Sequence, residues 1–362
     1  MKYDVLCTRC ILPDTTPYIS FDDNGVCNYC RTYKPMNVKG EEALTRVLDM
    51  HSSPSKKYDC MVGISGGRDS TYTLWKLVHD YNKRVLAFND RSYFTSEQAH
   101  ENVKNAVRIL NVDFINGKFP VEKQKKATQR AIKVWAHHPS SAMIPIICSE
   151  CKCVLPRILQ TARDNHISLV AFGSNPLETA SFKEKGMGGA RDYGNISNIP
   201  NIVKKSLKEL KANPQYLTGF SLSTIFKMYL MAGHNTPYIK WRFKDVRVMR
   251  LFDYLRWNEK EVEETITKNL GWKTSSEVTS SWRFDCRLDY VKRLLYVSTI
   301  GVTELQDLLS KMIREGMITR DEALVRFQQD SIVPKHVVSD VLSGMELTLA
   351  DLSVEIDQDF LA

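Results

Sequence analysis

The chain is 362 residues long, 43% hydrophobic and 25% charged, with a formal net charge of +8. These figures exclude intrinsic disorder as the main state and leave room for one large or two ordinary domains with a real core. The apolar runs, such as the one around Ile144–Cys148, fall far short of the roughly 18 apolar residues of a membrane span, and Met1-Lys2-Tyr3-Asp4 opens no apolar leader, so a soluble, cytoplasmic protein is expected.

Nine cysteines are an odd count, at positions 7, 10, 27, 30, 60, 148, 151, 153 and 286, and most lie two or three apart. Without an export signal this spacing reads as metal or redox chemistry rather than disulfides. The positive charge fits an anionic partner such as RNA, a nucleotide or a charged sugar, and does not choose among them.

Residues 1–35 are rich in Cys, Pro and Asp with little periodicity, as in a small module not held by an apolar core. From Tyr58 short apolar strands alternate with amphipathic helices. The strands are Tyr58–Ile64, Arg84–Phe88, Asp113–Ile115 and Ile167–Gly173; the helices run over about Ser70–Asp80, Ser96–Leu110, Val121–Ala136 and Val154–Asn165. This alternation predicts a doubly wound parallel α/β sheet, whose ligands sit at the carboxyl ends of the strands. Residues 176–245 hold Gly186, Gly188, Gly189, Gly194 and the basic run Lys204–Lys211, and read as a substrate-covering insertion. A strand over Val246–Leu255 and helices over Glu259–Leu270, Asp285–Val297, Thr303–Glu315 and Arg320–Gln328 follow. Three parts are therefore expected: 1–35, 36–255 with its insertion, and an all-helical 256–362.

Three motifs carry chemistry. In Val62-Gly63-Ile64-Ser65-Gly66-Gly67-Arg68-Asp69-Ser70, set between a strand and a helix, adjacent glycines let the backbone approach a phosphate. Ser65, Ser70 and the first helical amides supply donors at the positive end of the helix dipole. Such a loop binds pyrophosphate; the bland alternative is a plain turn. In Cys7-x-x-Cys10 and Cys27-x-x-Cys30, separated by sixteen residues, four thiolates suit a closed tetrahedral Zn²⁺ site, with Asp22-Asp23-Asn24-Gly25 as the hairpin turn between them. The third motif is Cys148-Ser149-Glu150-Cys151-Lys152-Cys153, followed by Arg157. Its thiols read as metal ligands, a redox dithiol, a second zinc half-site or inert, and Cys60, within a strand, reads as core.

Ser65-Gly66-Gly67-Arg68-Asp69-Ser70 resembles the SGGxDS signature of the PP-loop ATP pyrophosphatases, which adenylate a carbonyl oxygen and release pyrophosphate. That resemblance implies ATP held by Gly63, Ser65, Gly66, Gly67, Asp69 and Ser70, with Asp69 helping to hold Mg²⁺. It also implies a second element at Phe172-Gly173-Ser174-Asn175, with Gly173 beside the nucleotide and Glu178, where relatives usually have Asp, as a further Mg²⁺ ligand. The Cys148/Cys151 loop resembles that of the PP-loop tRNA thiolases. It implies a [4Fe-4S] cluster on Cys148, Cys151 and a third thiol, Cys286 or Cys153; three thiolates suit a cluster with one open iron.

Across almost the whole chain the order of features resembles the N-acetyl sugar amidotransferases of surface-polysaccharide and nonulosonic acid pathways. The stretches that carry it are Phe21-Asp22-Asp23-Asn24-Gly25-Val26-Cys27-Asn28-Tyr29-Cys30, Tyr58-Asp59-Cys60, Trp257-Asn258-Glu259, Gly271-Trp272, Trp282-Arg283-Phe284 and Arg314-Glu315-Gly316 through Ala323-Leu324. The resemblance implies ATP-dependent conversion of an acetamido sugar, nucleotide-linked or nonulosonic, to an acetamidino sugar, with ammonia from a separate glutaminase subunit. Arg283 is then expected to meet substrate or phosphate, with Cys148, Cys151 and Cys286 as further active-site candidates. The cysteine loop departs from the glutaminase-fed pattern, and the alternative is sulfur transfer to a tRNA base or an amide. A second alternative, a zinc-ribbon nucleic-acid binder, rests on the basic stretches Lys118–Lys133 and Lys204–Lys211.

Overall fold

A computed structural model describes residues 4–117, 119–152, 154–186, 207–218, 222–224, 226, 231, 233, 235–276, 280–356 and 360–361. Five parallel strands form one sheet: β1 (Cys60–Gly63), β2 (Val85–Asn89), β3 (Asp113–Asn116), β4 (Leu169–Phe172) and β5 (Arg247–Arg250). Their order is β3-β2-β1-β4-β5, in register Gly63 with Phe88 and with Phe172. The order reverses between β1 and β4, where a crevice opens at the carboxyl ends.

Both faces of the sheet are covered, as the continuous apolar strands require. Successive residues of a strand point to opposite sides. Thus Cys60, Val62, Val85, Ala87, Leu169 and Ala171 pack against α1 (Glu41–His51), α2 (Arg68–His79), α3 (Glu97–Leu110) and α6 (Glu259–Leu270). Met61, Leu86, Phe88 and Val170 meet α5 (Val154–Asp164) and the short helix Pro237–Arg242 on the other side. Cys60 is fully buried, as a core residue should be.

A third core joins the N-terminal cysteines to α4 (Val121–Ala136), α7 (Leu288–Ile300) and α10 (Lys335–Ser343). Between the cores run α8 (Glu304–Arg314) and α9 (Arg320–Asp330), the latter opened by a Thr319/Glu322 capping box.

Three details depart from expectation. The strand over Val246–Leu255 is shorter: β5 ends at Arg250 and gives way to one 3-10 turn over Leu251–Asp253, whose Leu251 and Phe252 join the core. The helix expected from Asp285 begins at Leu288, because residues 282–287 form turns in which Arg283 takes φ +54° and Cys286 bridges to Thr95. Helices α1 and α10 were not anticipated. Of the expected insertion, Gly186 ends the short helix Ser181–Gly186, whereas Gly188, Gly189, Gly194 and Lys204 lie outside the described residues, as do Lys118 and Cys153. Among the described residues, no helix is long and apolar enough to cross a membrane.

Candidate active site

The loop between β1 and α2 lies on the crevice and is tightly determined. Gly66 adopts φ +86°, and a Cβ there would meet the carbonyl oxygen of Ala99 at 2.0 Å. Its own carbonyl accepts from Asn102 Nδ2 at 3.2 Å and Trp272 Nε1 at 3.0 Å. The Ser65 amide donates to Ser70 Oγ at 3.1 Å, the two hydroxyls lie 3.0 Å apart, and the Gly67 amide donates to Ser65 Oγ at 3.3 Å. Gly173, just beyond β4, presses on the same loop: a Cβ there would sit 2.3 Å from the Asp69 carbonyl oxygen. The chain thus delivers two hydroxyls and the N-terminus of a twelve-residue helix to one place, a ready anion site.

Behind the loop lies an ion network that the motif alone does not reveal. Arg68, 3% exposed, bonds Glu259, Glu263 Oε1 at 3.3 Å and Ser281 Oγ at 2.9 Å, and stacks on Trp257. Asp69 accepts from Trp257 Nε1 at 3.0 Å and lies 3.4 Å from Arg68 Nε. Burial raises its pKa, with Arg68 opposing. Glu178 follows β4 and shares the crevice; burial and the nearby Asp69 push it up to about 7, against the pull of Arg283 and Arg68. Asp285 accepts from Ser65 and is raised by burial.

Arg283 sits in a second buried network. It bonds Glu304 Oε2 at 3.0 Å, Asp289 Oδ1 at 3.5 Å and the Glu178 carbonyl at 3.4 Å. Lys292 binds Asp289 at 2.9 Å, and Lys183 closes on Glu304. Burial opposes ionisation of Asp289, but Lys292, Arg293 and Arg283 outweigh it and hold the carboxyl at about 2. Arg283 is thus braced by two acids and one carbonyl while its side chain, 25% exposed, still lines the crevice.

A cavity of about 660 Å³ joins these groups. Gly63, Ser65, Gly67, Asp69, Ser70, Gly173, Glu178, Arg283, Cys148, Cys151 and Cys286 all line it; Gly66 stands behind the lining and shapes the loop. Cys148 ends the 3-10 helix Ile144–Cys148, Cys151 lies in the short helix Ser149–Lys152, and Cys286 lies in the turn before α7. Gln124 Nε2 donates to Cys151 Sγ at 3.0 Å, and Cys148 Sγ lies 3.6 Å from the Pro145 carbonyl. Burial pushes Cys286 to about 12 and Cys151 well above its ordinary value, so both are neutral thiols in the protein as it stands.

The four N-terminal cysteines are all buried and, among the described residues, are the group of His, Cys, Asp and Glu whose ligand atoms lie within 4.8 Å of one another. Cys7 and Cys30 Sγ are 3.9 Å apart, Cys10 and Cys27 Sγ 3.8 Å. Four sulfurs tetrahedrally about Zn²⁺ at ~2.3 Å stand ~3.8 Å apart, so the donor set fits that ion. The surrounding donors fit a charged thiolate centre as well: the Cys10 and Cys27 amides point to Cys7 Sγ at 3.4 and 3.2 Å. Arg314 reaches Cys30 Sγ at 3.4 Å and Cys10 Sγ at 3.5 Å.

Sequence reasoning missed Arg68 as an anchor, Asp285, Glu304 and Lys292. The resemblance included Trp282-Arg283-Phe284 and Trp257-Asn258-Glu259, which was the one local signal that these stretches return to the loop; no periodicity marks Glu304 or Lys292.

No family model matches the chain, and no curated protein matches it. Among solved structures it is similar to NMN synthetase from Francisella tularensis, at 14% identity over 79% of this chain and 89% of that chain, with a TM-score of 0.37. The class read from the sequence, a parallel α/β sheet with a four-cysteine module and helices at the C-terminal end, is the architecture observed.

Proposed function

We propose that the chain is an ATP-dependent adenylating enzyme of the PP-loop type, acting on the amide carbonyl of an N-acetyl sugar and using ammonia as nucleophile. One observation carries the adenylating part: the Ser65–Ser70 loop, at the reversal of strand order and the start of α2, opens on a cavity that also holds Gly173 and Glu178. Ser65, Ser70 and the α2 amides take the pyrophosphate end of ATP. Asp69 and Glu178 are the carboxylates that would hold Mg²⁺, which supplies charge neutralisation on the phosphates. The amide oxygen attacks the α-phosphorus and pyrophosphate leaves; ammonia then adds to the activated carbon and AMP leaves with the former amide oxygen, giving the amidine. Ammonia comes from a glutaminase subunit or from solution. The sugar, its amide and the ammonia source rest on the family resemblance of the motifs.

The test is turnover with an acetamido sugar labelled with ¹⁸O in its carbonyl, ammonium and ATP. AMP carrying the label, with one pyrophosphate per turn, is expected; ADP and phosphate as products would refute adenylation.

A second reading is favoured by the convergence of Cys148, Cys151 and Cys286 on this cavity. Three thiols are the donor set of a [4Fe-4S] cluster with one open iron, and the product would then carry sulfur, on a tRNA base or a small amide. Protein purified without oxygen decides between them: brown colour with iron and sulfide supports sulfur transfer, and colourless zinc protein supports nitrogen.

A further inference from the structure

The phosphate loop carries a carboxylate that the adenylating reading does not use. Asp285 lines the cavity and is half-buried, so its side chain is within reach of a molecule held there. A Cβ built on Gly67 would lie 3.1 Å from Asp285 Oδ2 and 3.3 Å from Ser65 Oγ, which sets the carboxylate and that hydroxyl on the same side of the loop. Asp285 accepts from Ser65. Gly67 is the N-cap of α2 and has no side chain with which to cap it. An anion is favoured at the start of a helix, and Asp285 brings one there from far along the chain.

The backbone around Asp285 is fixed. The Ser96 amide donates to the Asp285 carbonyl at 3.1 Å, the Arg287 amide donates to the Phe94 carbonyl at 2.8 Å, and Cys286 bridges to Thr95. The carboxylate itself hangs on two side-chain torsions, and it can exchange one staggered position for another without moving that backbone.

The pyrophosphate end of ATP needs the same donor. A hydroxyl has one proton to give, so Ser65 serves either Asp285 or a phosphate oxygen, and two like charges this close repel. We infer that Asp285 is an internal competitor for the phosphate loop: its carboxylate holds the Ser65 hydroxyl and must swing off before a phosphate takes that place. This rests on the ATP reading proposed above and adds a regulation of the same site. The same competition favours release of the pyrophosphate product, because the returning carboxylate reclaims Ser65.

The test is calorimetric binding of inorganic pyrophosphate to the full chain in Mg²⁺-free buffer. Asp285→Asn and Asp285→Ser should each bind it at least about tenfold more tightly than the wild type. Variants that bind no more tightly than the wild type overturn the inference and leave the ATP site standing. Weaker binding confined to Mg²⁺-pyrophosphate also overturns it, because the carboxylate would then hold the metal. A crystal of the wild type with pyrophosphate decides the matter even if neither variant folds. Ser65 Oγ on a phosphate oxygen with the Asp285 carboxylate turned away is expected; pyrophosphate bound while Asp285 still holds Ser65 overturns the inference. Failure of both pyrophosphate and ATP to bind the wild type or either variant overturns the adenylating reading itself.

Discussion

Gly66→Ala offers a worked test of the phosphate loop, because the fold supplies its own control. Gly66 and Gly40 share a positive φ, +86° and +87°, but a Cβ on Gly40 meets nothing within 4 Å, whereas on Gly66 it lies 2.0 Å from the Ala99 carbonyl oxygen. Both alanines carry a positive-φ penalty of about 1–3 kcal/mol. At Gly66 the loop must also move off α3, through overpacking of about 1–3 kcal/mol or by weakening the Asn102 and Trp272 bonds at about 0.5–1.5 kcal/mol each. These routes relieve one another, so the expected loss is about 2–6 kcal/mol for Gly66→Ala against about 1–3 for Gly40→Ala. The loss takes a large share of a typical domain's stability. Urea unfolding followed by tryptophan fluorescence reports it, since Trp272 is bonded to the loop, and calorimetric ATP titration below the transition reports the site. Equal destabilisation by both alanines, with equal ATP affinity, would refute the steric account of the loop.

Asp69→Asn should stop pyrophosphate release while circular dichroism and zinc content stay at wild-type values, since Asn can still accept from Trp257; undiminished release would remove Asp69 from the reaction. Metal analysis should find one zinc per chain. Arg314→Met should lower zinc affinity measured against a competing chelator, because the guanidinium bonded to Cys10 and Cys30 offsets the charge of four thiolates; unchanged affinity would assign Arg314 to packing alone. Glu178, at about 7 against an ordinary 4.5, binds more protons folded than unfolded, so its contribution to stability of Mg²⁺-free protein falls as pH rises from about 4.5 to about 7. Glu178→Gln should flatten that slope in denaturation midpoints measured across the window, and an unaltered slope would move the titration to another group.

What was legible in the sequence follows from the range of the interactions. The strands and helices around β1 are written in local periodicity, the Ser65–Ser70 loop in its glycines between a strand and a helix, and the four-cysteine module in two short cysteine spacings whose sulfurs meet at tetrahedral separation. The groups that brace the site come from far along the chain, and no local pattern encodes such pairings. Arg68 is held by Glu259 and Glu263, and Asp69 by Trp257, nearly two hundred positions away. Even the early end of β5 has a long-range cause: Leu251 and Phe252 leave the strand direction to enter the core beside α1, α2 and α6.

Helix α8 shows why the C-terminal helices and the phosphate loop are better regarded as one apparatus than as neighbours in sequence. Its first residue, Glu304, ties down Arg283 and Lys183 beside the cavity, and its last, Arg314, touches two sulfurs of the four-cysteine module. In between, Gln306 donates to the Ile11 carbonyl and Lys311 to the carbonyl of Thr179, next to Glu178. A rigid eleven-residue rod bonded at both ends transmits displacement of one end to the other. The four-cysteine module therefore has a physical means of fixing where Arg283 and Glu178 stand, and under the proposed function its place is one of alignment rather than chemistry.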